Sequence, residues 1–249
     1  PYDTGSYASA TTYVTGMAVV KACETLREQI VAQAAVLLDV DPSHICFDGT
    51  MITAAEDGKS ISLKDFANQC FAGGKGKVLI ASASHVSPTS PPPFMAGIAE
   101  VDVDKLTGEI KVHDYVAVVD CGTVINPNLA RIQTEGGIAQ GIGMALFEEI
   151  GYDHNGRMQN SSFMQYKIPT RLDVGNIRVD FESSYEDNGP FGAKSIGELV
   201  IDTPCPALAE AIYNATGVRL TELPMTPEKI AMEILKNRES TRSGTKVEE

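Results

Sequence analysis

Basic residues are scarce in this 249-residue chain: 20 Lys and Arg stand against 33 Asp and Glu, a formal net charge of −13. Without a cluster of cations to neutralise phosphates, nucleic acid and anionic membranes are disfavoured as partners. Long apolar runs are missing too. The best stretch, residues 31–40, is interrupted by Gln33 and Asp39 and falls short of the roughly 18 apolar residues that a membrane helix needs. The five cysteines, Cys23, Cys46, Cys70, Cys121 and Cys205, are dispersed without a CxxC pair. That argues against an iron–sulfur or structural zinc site made by this chain alone, and reads as reduced thiols in a cytoplasmic protein. His44, His85, His113 and His154 show no HxxxH or HxH spacing, and no P-loop, GxSxG or GxGxxG fingerprint occurs. The first residue is Pro1, with neither a methionine nor a basic-then-apolar leader, so a native start upstream and no signal peptide are expected.

What is present is globular: 43% hydrophobic and 21% charged residues, in a length that suits one large domain or two small ones. Apolar residues Val14, Met17, Ala18, Leu26, Ile30, Ala34 and Leu37 recur at mostly three- and four-residue steps, which predicts one long helix that stops before Asp41-Pro42. Short strands follow around residues 45–48 and 51–53 with Gly49 as the turn, then a brief helix over 62–72 capped by Ser62 and ended by Gly73-Gly74. Residues 82–93, SASHVSPTSPPP, form the one clear shift in composition and read as a linker. This divides the chain into a first sub-half over 1–81, a second over 94–237, and a polar, frayed tail over 238–249. In the second half, residues 94–104 and 109–120 form a hairpin turning at Gly108, a helix capped by Asn126 covers 126–149, and a strand is expected over 176–184. Two more helices start at Thr203-Pro204 and Thr226-Pro227. Hairpins and helices without regular βα alternation indicate an α+β fold of mixed sheets and packed helices.

Three segments could carry chemistry. Residues 5–12, GSYASATT, precede the long helix, where free backbone amides, the helix dipole and several hydroxyls suit an anion, although a flexible lead-in with ordinary capping by Thr11 or Thr12 is the simpler reading. The second is the 126–149 helix, which contains Gly136, Gly137, Gly141 and Gly143, each costing about 1 kcal/mol relative to alanine. Gln133, Gly137, Gln140 and Gly141 share one face, so either a large polar ligand approaches there or the glycines permit tight helix packing. The third is residues 189–198, GPFGAKSIGE, a glycine-punctuated loop with one lysine and one acid. A carboxylate desolvated over a cofactor can serve as a general base, whereas most isolated glutamates are simply solvated.

Taken in order, the blocks at residues 3–22, 101–149 and 189–230 resemble the molybdenum hydroxylases of the xanthine dehydrogenase and aldehyde oxidoreductase type, specifically the C-terminal part of their molybdopterin-binding subunit. The resemblance implies that Glu198, in GAKSIGE, is the catalytic base toward a molybdenum-bound oxygen that attacks an electron-poor carbon of an N-heterocycle or aldehyde. It further implies cofactor-binding roles for Ser6, Tyr7, Ala8 and Ser9, for Gln133 and Gln140, and for Lys194, Ser195 and Gly197. Molybdenum is then held through the pterin dithiolene with no direct protein ligand, and the cofactor is molybdopterin, in plain or cytosine-dinucleotide form. Iron–sulfur (2Fe-2S) and FAD centres, the rest of the molybdopterin-binding region and the substrate-orienting residues would belong to other domains or subunits of an oligomeric assembly. A reductive relative acting on an aromatic thioester, and a catalytically silent cofactor-binding or assembly module, are the alternatives. The chain differs from the family pattern at Ala10 and Ser195.

Overall fold

A computed structural model describes residues 5–56, 58–72 and 78–242. The chain divides into two compact units, one comprising Thr12–Pro88 and the other Pro1–Thr11 with Thr89–Glu249. The first residues of the chain thus belong with its second half.

In the Thr12–Pro88 unit, helix α1 (Gly16–Leu38) follows a π-helical turn at Thr11–Thr15. It ends at Asp39, which takes the left-handed conformation (φ 59°) and returns its amide to Ala35 O. Asp41 then caps a short 3₁₀ turn at Pro42–His44 by accepting from the Ser43 amide. Strands β1 (Ile45–Phe47), β2 (Met51–Ala54) and β3 (Ser60–Ser62) form an antiparallel sheet in that order. Asp48 closes the turn between β1 and β2 by accepting from the Thr50 and Met51 amides. Helix α2 (Leu63–Ala72) starts where expected, with Ser62 accepting from the Asp65 amide. The Gly73-Gly74 stop lies outside the described residues. Ile30, Ala34, Ile52 and Phe66 form the core. Strand β3 is not among the expected elements, because one apolar residue, Ile61, between two serines carries no strand pattern.

The other unit is built on strands β4 (Phe94–Val103), β5 (Ile110–Asp120) and β6 (Asn176–Phe181). β4 and β5 are the expected hairpin, turning at Gly108 (φ 74°), with Asp104 accepting from the Leu106 and Thr107 amides. β6 pairs parallel to β5. It stops at Phe181, short of the expected Ser184, because the Ser184 hydroxyl is bonded to Asp120 at the end of β5. Helix α3 (Pro127–Leu146) is capped by Asn126, as read from sequence, but ends three residues early: the amides of Phe147 and Glu148 both turn back to Gly143 O.

Helices α4 (Pro204–Thr216) and α5 (Pro227–Arg242) complete the unit. Thr203 makes no cap bond to α4, since its hydroxyl accepts from the Tyr115 phenol at 2.8 Å. The α5 helix passes Asn237, where a tail was expected, because Arg238 and Glu239 propagate a helix and neither Gly nor Pro intervenes before Arg242. Tyr115, Ile138, Ile142, Leu208, Ile212, Met225 and Ile230 are fully enclosed between sheet and helices. Among the described residues no helix is long and apolar enough to cross a membrane.

The glycines of α3 now have a physical account. A Cβ on Gly137 would lie 2.1 Å from Val200 Cγ2, one on Gly141 2.6 Å from Pro204 Cγ, and one on Gly143 2.8 Å from Pro169 Cδ. Tight packing therefore explains these three, and the proposal that Gly137 and Gly141 offer bare backbone to a ligand is corrected: Val200 and Pro204 fill that space. Gly136 has nothing within 4 Å. Opposite outcomes follow for neighbouring alanine substitutions. Gly137→Ala should destabilise by about 1–3 kcal/mol, since branched Val200 cannot swing aside, while Gly136→Ala should stabilise by up to about 1 kcal/mol. Urea unfolding of the two variants measures both.

Candidate cofactor and catalytic site

The glycine-punctuated loop is seated on the end of β5. A 3₁₀ turn at Pro190–Gly192 reverses the chain, with Gly192 at φ 89°. Gly192 O then accepts from the Thr123 amide, Ala193 bridges Gly122, and the Lys194 amide donates to Cys121 O at 2.8 Å. The fit is tight enough that a Cβ on Gly122 (φ 69°) would sit 2.3 Å from Gly192 O, so only glycine serves there.

Side chains reinforce the seat. Lys194 Nζ lies 2.8 Å from Asp120 Oδ2, with the two side chains only 11% and 19% exposed. The other carboxylate oxygen accepts from the Ser184 hydroxyl at 2.5 Å and the Gly122 amide at 3.0 Å. Burial by itself would push the Asp120 carboxyl up. The hydrogen bonds from Lys194, Ser184 and Gly122, together with the lysine charge, outweigh it and hold the group below the ordinary carboxylate value. The neighbouring Cys121 thiol is pushed up, first by burial and then by the Asp120 charge. The Lys194 ammonium also stands 5.7 Å from the centre of the Phe94 ring.

Beyond Lys194, residues Ser195 and Gly197 are half-buried and Glu198 is exposed. The described residues thus leave Glu198 open to solvent. Directly after it, a 3₁₀ turn at Leu199–Ile201 buries Val200 against Gly137 of α3.

The N-terminal segment meets this loop. Tyr7–Ser9 form a 3₁₀ turn in which Ala8 (φ 50°) and Ser9 (φ 55°) are both left-handed, a conformation costing of order 1 kcal/mol or more for each non-glycine residue. A Cβ built on Gly197 would lie 2.7 Å from Ser9 Oγ and 3.9 Å from Gln133 Nε2. Ser9, Gln133 and Gly197, drawn from three remote segments, therefore converge beside Glu198. Gln140 is exposed two turns further along α3, about 10 Å away by the helix rise, and is not part of that cluster. Ser6, Tyr7 and Ala8 are exposed, with Ser6 Oγ 2.9 Å from Thr11 Oγ1. The capping expected of Thr11 or Thr12 is absent: Thr15 precedes α1 and makes no side-chain cap bond.

A hydroxyl, a carboxamide and a stretch of side-chain-free backbone make a neutral hydrogen-bonding cradle. Its donors and acceptors suit a polar heterocycle such as a pterin, and the missing side chain at Gly197 is what lets Ser9 sit against the loop. Among the described residues no three His, Cys, Asp or Glu side chains converge as metal ligands. Sequence reasoning missed Asp120 and Ser184. The available signal was Lys194 itself, a cation between Ala193 and Ser195 in a glycine-rich loop, which cannot be half-buried without a carboxylate partner.

An α+β fold with a neutral cradle beside a carboxylate defines a cofactor-binding domain. Residues 1–175 match the model of the molybdopterin cofactor-binding domain, and the chain belongs to that family. It is 36% identical over 233 residues to the probable hypoxanthine oxidase XdhD of Escherichia coli K12, an alignment covering 92% of this chain and 24% of that protein. Over 234 residues it is 34% identical to the xanthine dehydrogenase molybdenum-binding subunit of Escherichia coli O157:H7, covering 92% and 31%. The solved structure of reconstituted CO dehydrogenase from Oligotropha carboxidovorans superposes with a TM-score of 0.83 at 25% identity, over 95% of this chain and 30% of that one. The chain thus spans between 24% and 31% of the length of these relatives.

The low-titrating Asp120 gives a signed pH prediction. Its contribution is complete above the unfolded carboxylate value of about 3.9 and is lost as pH falls through the lower folded value. Asp120→Asn should cost about 1–3 kcal/mol at pH 7, and the gap to the native sequence should narrow below about pH 4. Urea midpoints at pH 7 and pH 3 test this; a gap that widens on acidification contradicts it.

Proposed function

We propose that this chain forms part of a molybdopterin site in a molybdenum hydroxylase and that Glu198 is its general base. The observation that carries the reading is the convergence of Ser9, Gln133 and Gly197 immediately beside Glu198. Ser9 and Gln133 would hold the pterin through its ring and side-chain polar atoms, with Gly197 letting Ser9 pack against the loop that carries Glu198. Ser6, Tyr7 and Ala8 extend that surface on one side, and Ser195 and Gln140 on others. When bound, the molybdenum cofactor supplies the two-electron acceptor for the oxidation. The Glu198 carboxylate takes the proton from the water-derived oxygen that enters the substrate, which is the work a positioned carboxylate base does best.

The substrate class we favour is an electron-poor carbon of an N-heterocycle or an aldehyde. The names of two relatives, a hypoxanthine oxidase and a xanthine dehydrogenase subunit, support the heterocycle. The CO dehydrogenase superposition supports the site without selecting that substrate. Electrons would leave through 2Fe-2S and FAD centres on other domains or subunits, since the five free cysteines here are dispersed and no metal-binding cluster forms among the described residues. Those free thiols support a cytoplasmic location. Exposed Phe94, Ile98 and Val118 on the sheet surface support packing against further protein, and the cofactor would be molybdopterin or its cytosine dinucleotide.

In the assembled oxidoreductase, Glu198→Gln should lower turnover by at least about 100-fold with molybdenum content unchanged by elemental analysis. Retained turnover would remove the role given to Glu198. A complex that never acquires molybdenum would instead identify a cofactor-free assembly module.

A further inference from the structure

We infer that Asp120 is a positioning residue: through its ion pair with Lys194 it fixes the backbone that presents Gly197 and Glu198. This rests on the reading of Glu198 given above. The loop is fastened at two points. On one side lie the Asp120–Lys194 pair, the Gly122–Ala193 bridge and the bond from the Lys194 amide to Cys121 O. On the other, Val200 occupies the space that Gly137 leaves on α3. Only Ser195, Ile196, Gly197, Glu198 and Leu199 run between the fastenings, a span too short to move independently of both.

The pairing of residue types fits this role better than it fits simple stabilisation. Each Asp120 oxygen is occupied, one by Lys194 and the other by Ser184 and the Gly122 amide. The carboxylate therefore holds the ends of β5, the segment after β6 and the loop in one fixed relation. A shielded ion pair is a poor source of net stability, but it has strict geometry, since shifting either partner leaves a buried charge unbonded. Lys194 is consequently committed to the scaffold: its ammonium faces Asp120 and the Phe94 ring, and its effect on the cofactor cradle is exerted through the four-residue path to Glu198.

Hydrogen exchange in the full chain tests the clamp directly. In Asp120→Asn and in Lys194→Met, the two bonded amides that flank the loop, that of residue 194 to Cys121 O and that of Ile201 to Glu198 O, should lose about tenfold in protection, the loss of one charge-assisted hydrogen bond. In Lys194→Arg, which keeps the pair, they should stay within about twofold of the native rate. The amides of Val116 to Val119 in β5 should be unchanged. Unaltered exchange at these two amides, or acceleration spread equally into β5, would overturn the inference. In the assembled enzyme, Asp120→Asn should lower kcat while KM and molybdenum content hold. A loosened loop with native kcat would also overturn it. If Glu198→Gln leaves turnover intact, the reading of Glu198 fails by itself, because the exchange measurement does not depend on that side chain's chemistry.

Discussion

Asp120 is a carboxylate at the end of a central strand, largely withdrawn from water, and the local architecture follows from the need to bond it completely. Three donors reach its two oxygens: the Lys194 ammonium, the Ser184 hydroxyl and the Gly122 amide. They come from three different stretches of chain, so satisfying one charge gathers the end of β5, the exit from β6 and the glycine-rich loop at one place. Gly122 must be glycine because its own backbone lies against Gly192 O. The Lys194 side chain crosses Phe94 on β4, which adds the fourth segment. Removing one partner from such a pair costs more than the pair contributes, and that asymmetry is what makes it a fastening.

A second constraint works without charge. Three glycines in α3 exchange helix propensity for proximity: each costs about 1 kcal/mol in a helix interior, and each admits a side chain that a Cβ would exclude. Val200, Pro204 and Pro169 occupy those places. The first two bracket the segment between Glu198 and α4, so the same helix that carries Gln133 also sets the height of the loop above it. Packing density transmits position here: interiors are close-packed, and a displaced Val200 has nowhere to go.

Much of this was legible from residue patterns. The β4–β5 hairpin, the Asn126 cap and the Ser62 cap follow from local chemistry, in which an alternation, a turn glycine or a capping side chain acts over four or five residues. The errors at the α4 cap and the end of β6 come where a side chain is claimed by a remote partner. Thr203 was assigned to a cap, yet Tyr115 takes its hydroxyl. Ser184 was assigned to a strand, yet Asp120 holds it. The α3 glycines were legible as an anomaly, but their partners stand 63 residues away in the chain for both Gly137–Val200 and Gly141–Pro204, beyond any local rule. The candidate site divides the same way. Glu198 and Gln133 were reached through resemblance, while Asp120, which no motif marked, needed three-dimensional proximity.

The distribution of burial across the site carries the last step. The supports, Asp120, Val200, Gly137 and Gly192, are enclosed or nearly so, whereas Glu198, Gln133 and Gln140 are exposed. A carboxylate base gains its power from an environment that excludes water and fixes its partners; on the proposed reading of Glu198, the described residues supply the fixing and leave the carboxylate exposed. It is therefore a floor and not an enclosure: a rigid surface on which polar groups are set at defined positions, facing outward. For a family whose members are three to four times as long as this chain, such a division is physically sensible. Position is set by one unit's own core, where packing is dense. On the proposed reading, desolvation would fall to protein packed over the exposed groups, which would leave the geometry beneath undisturbed.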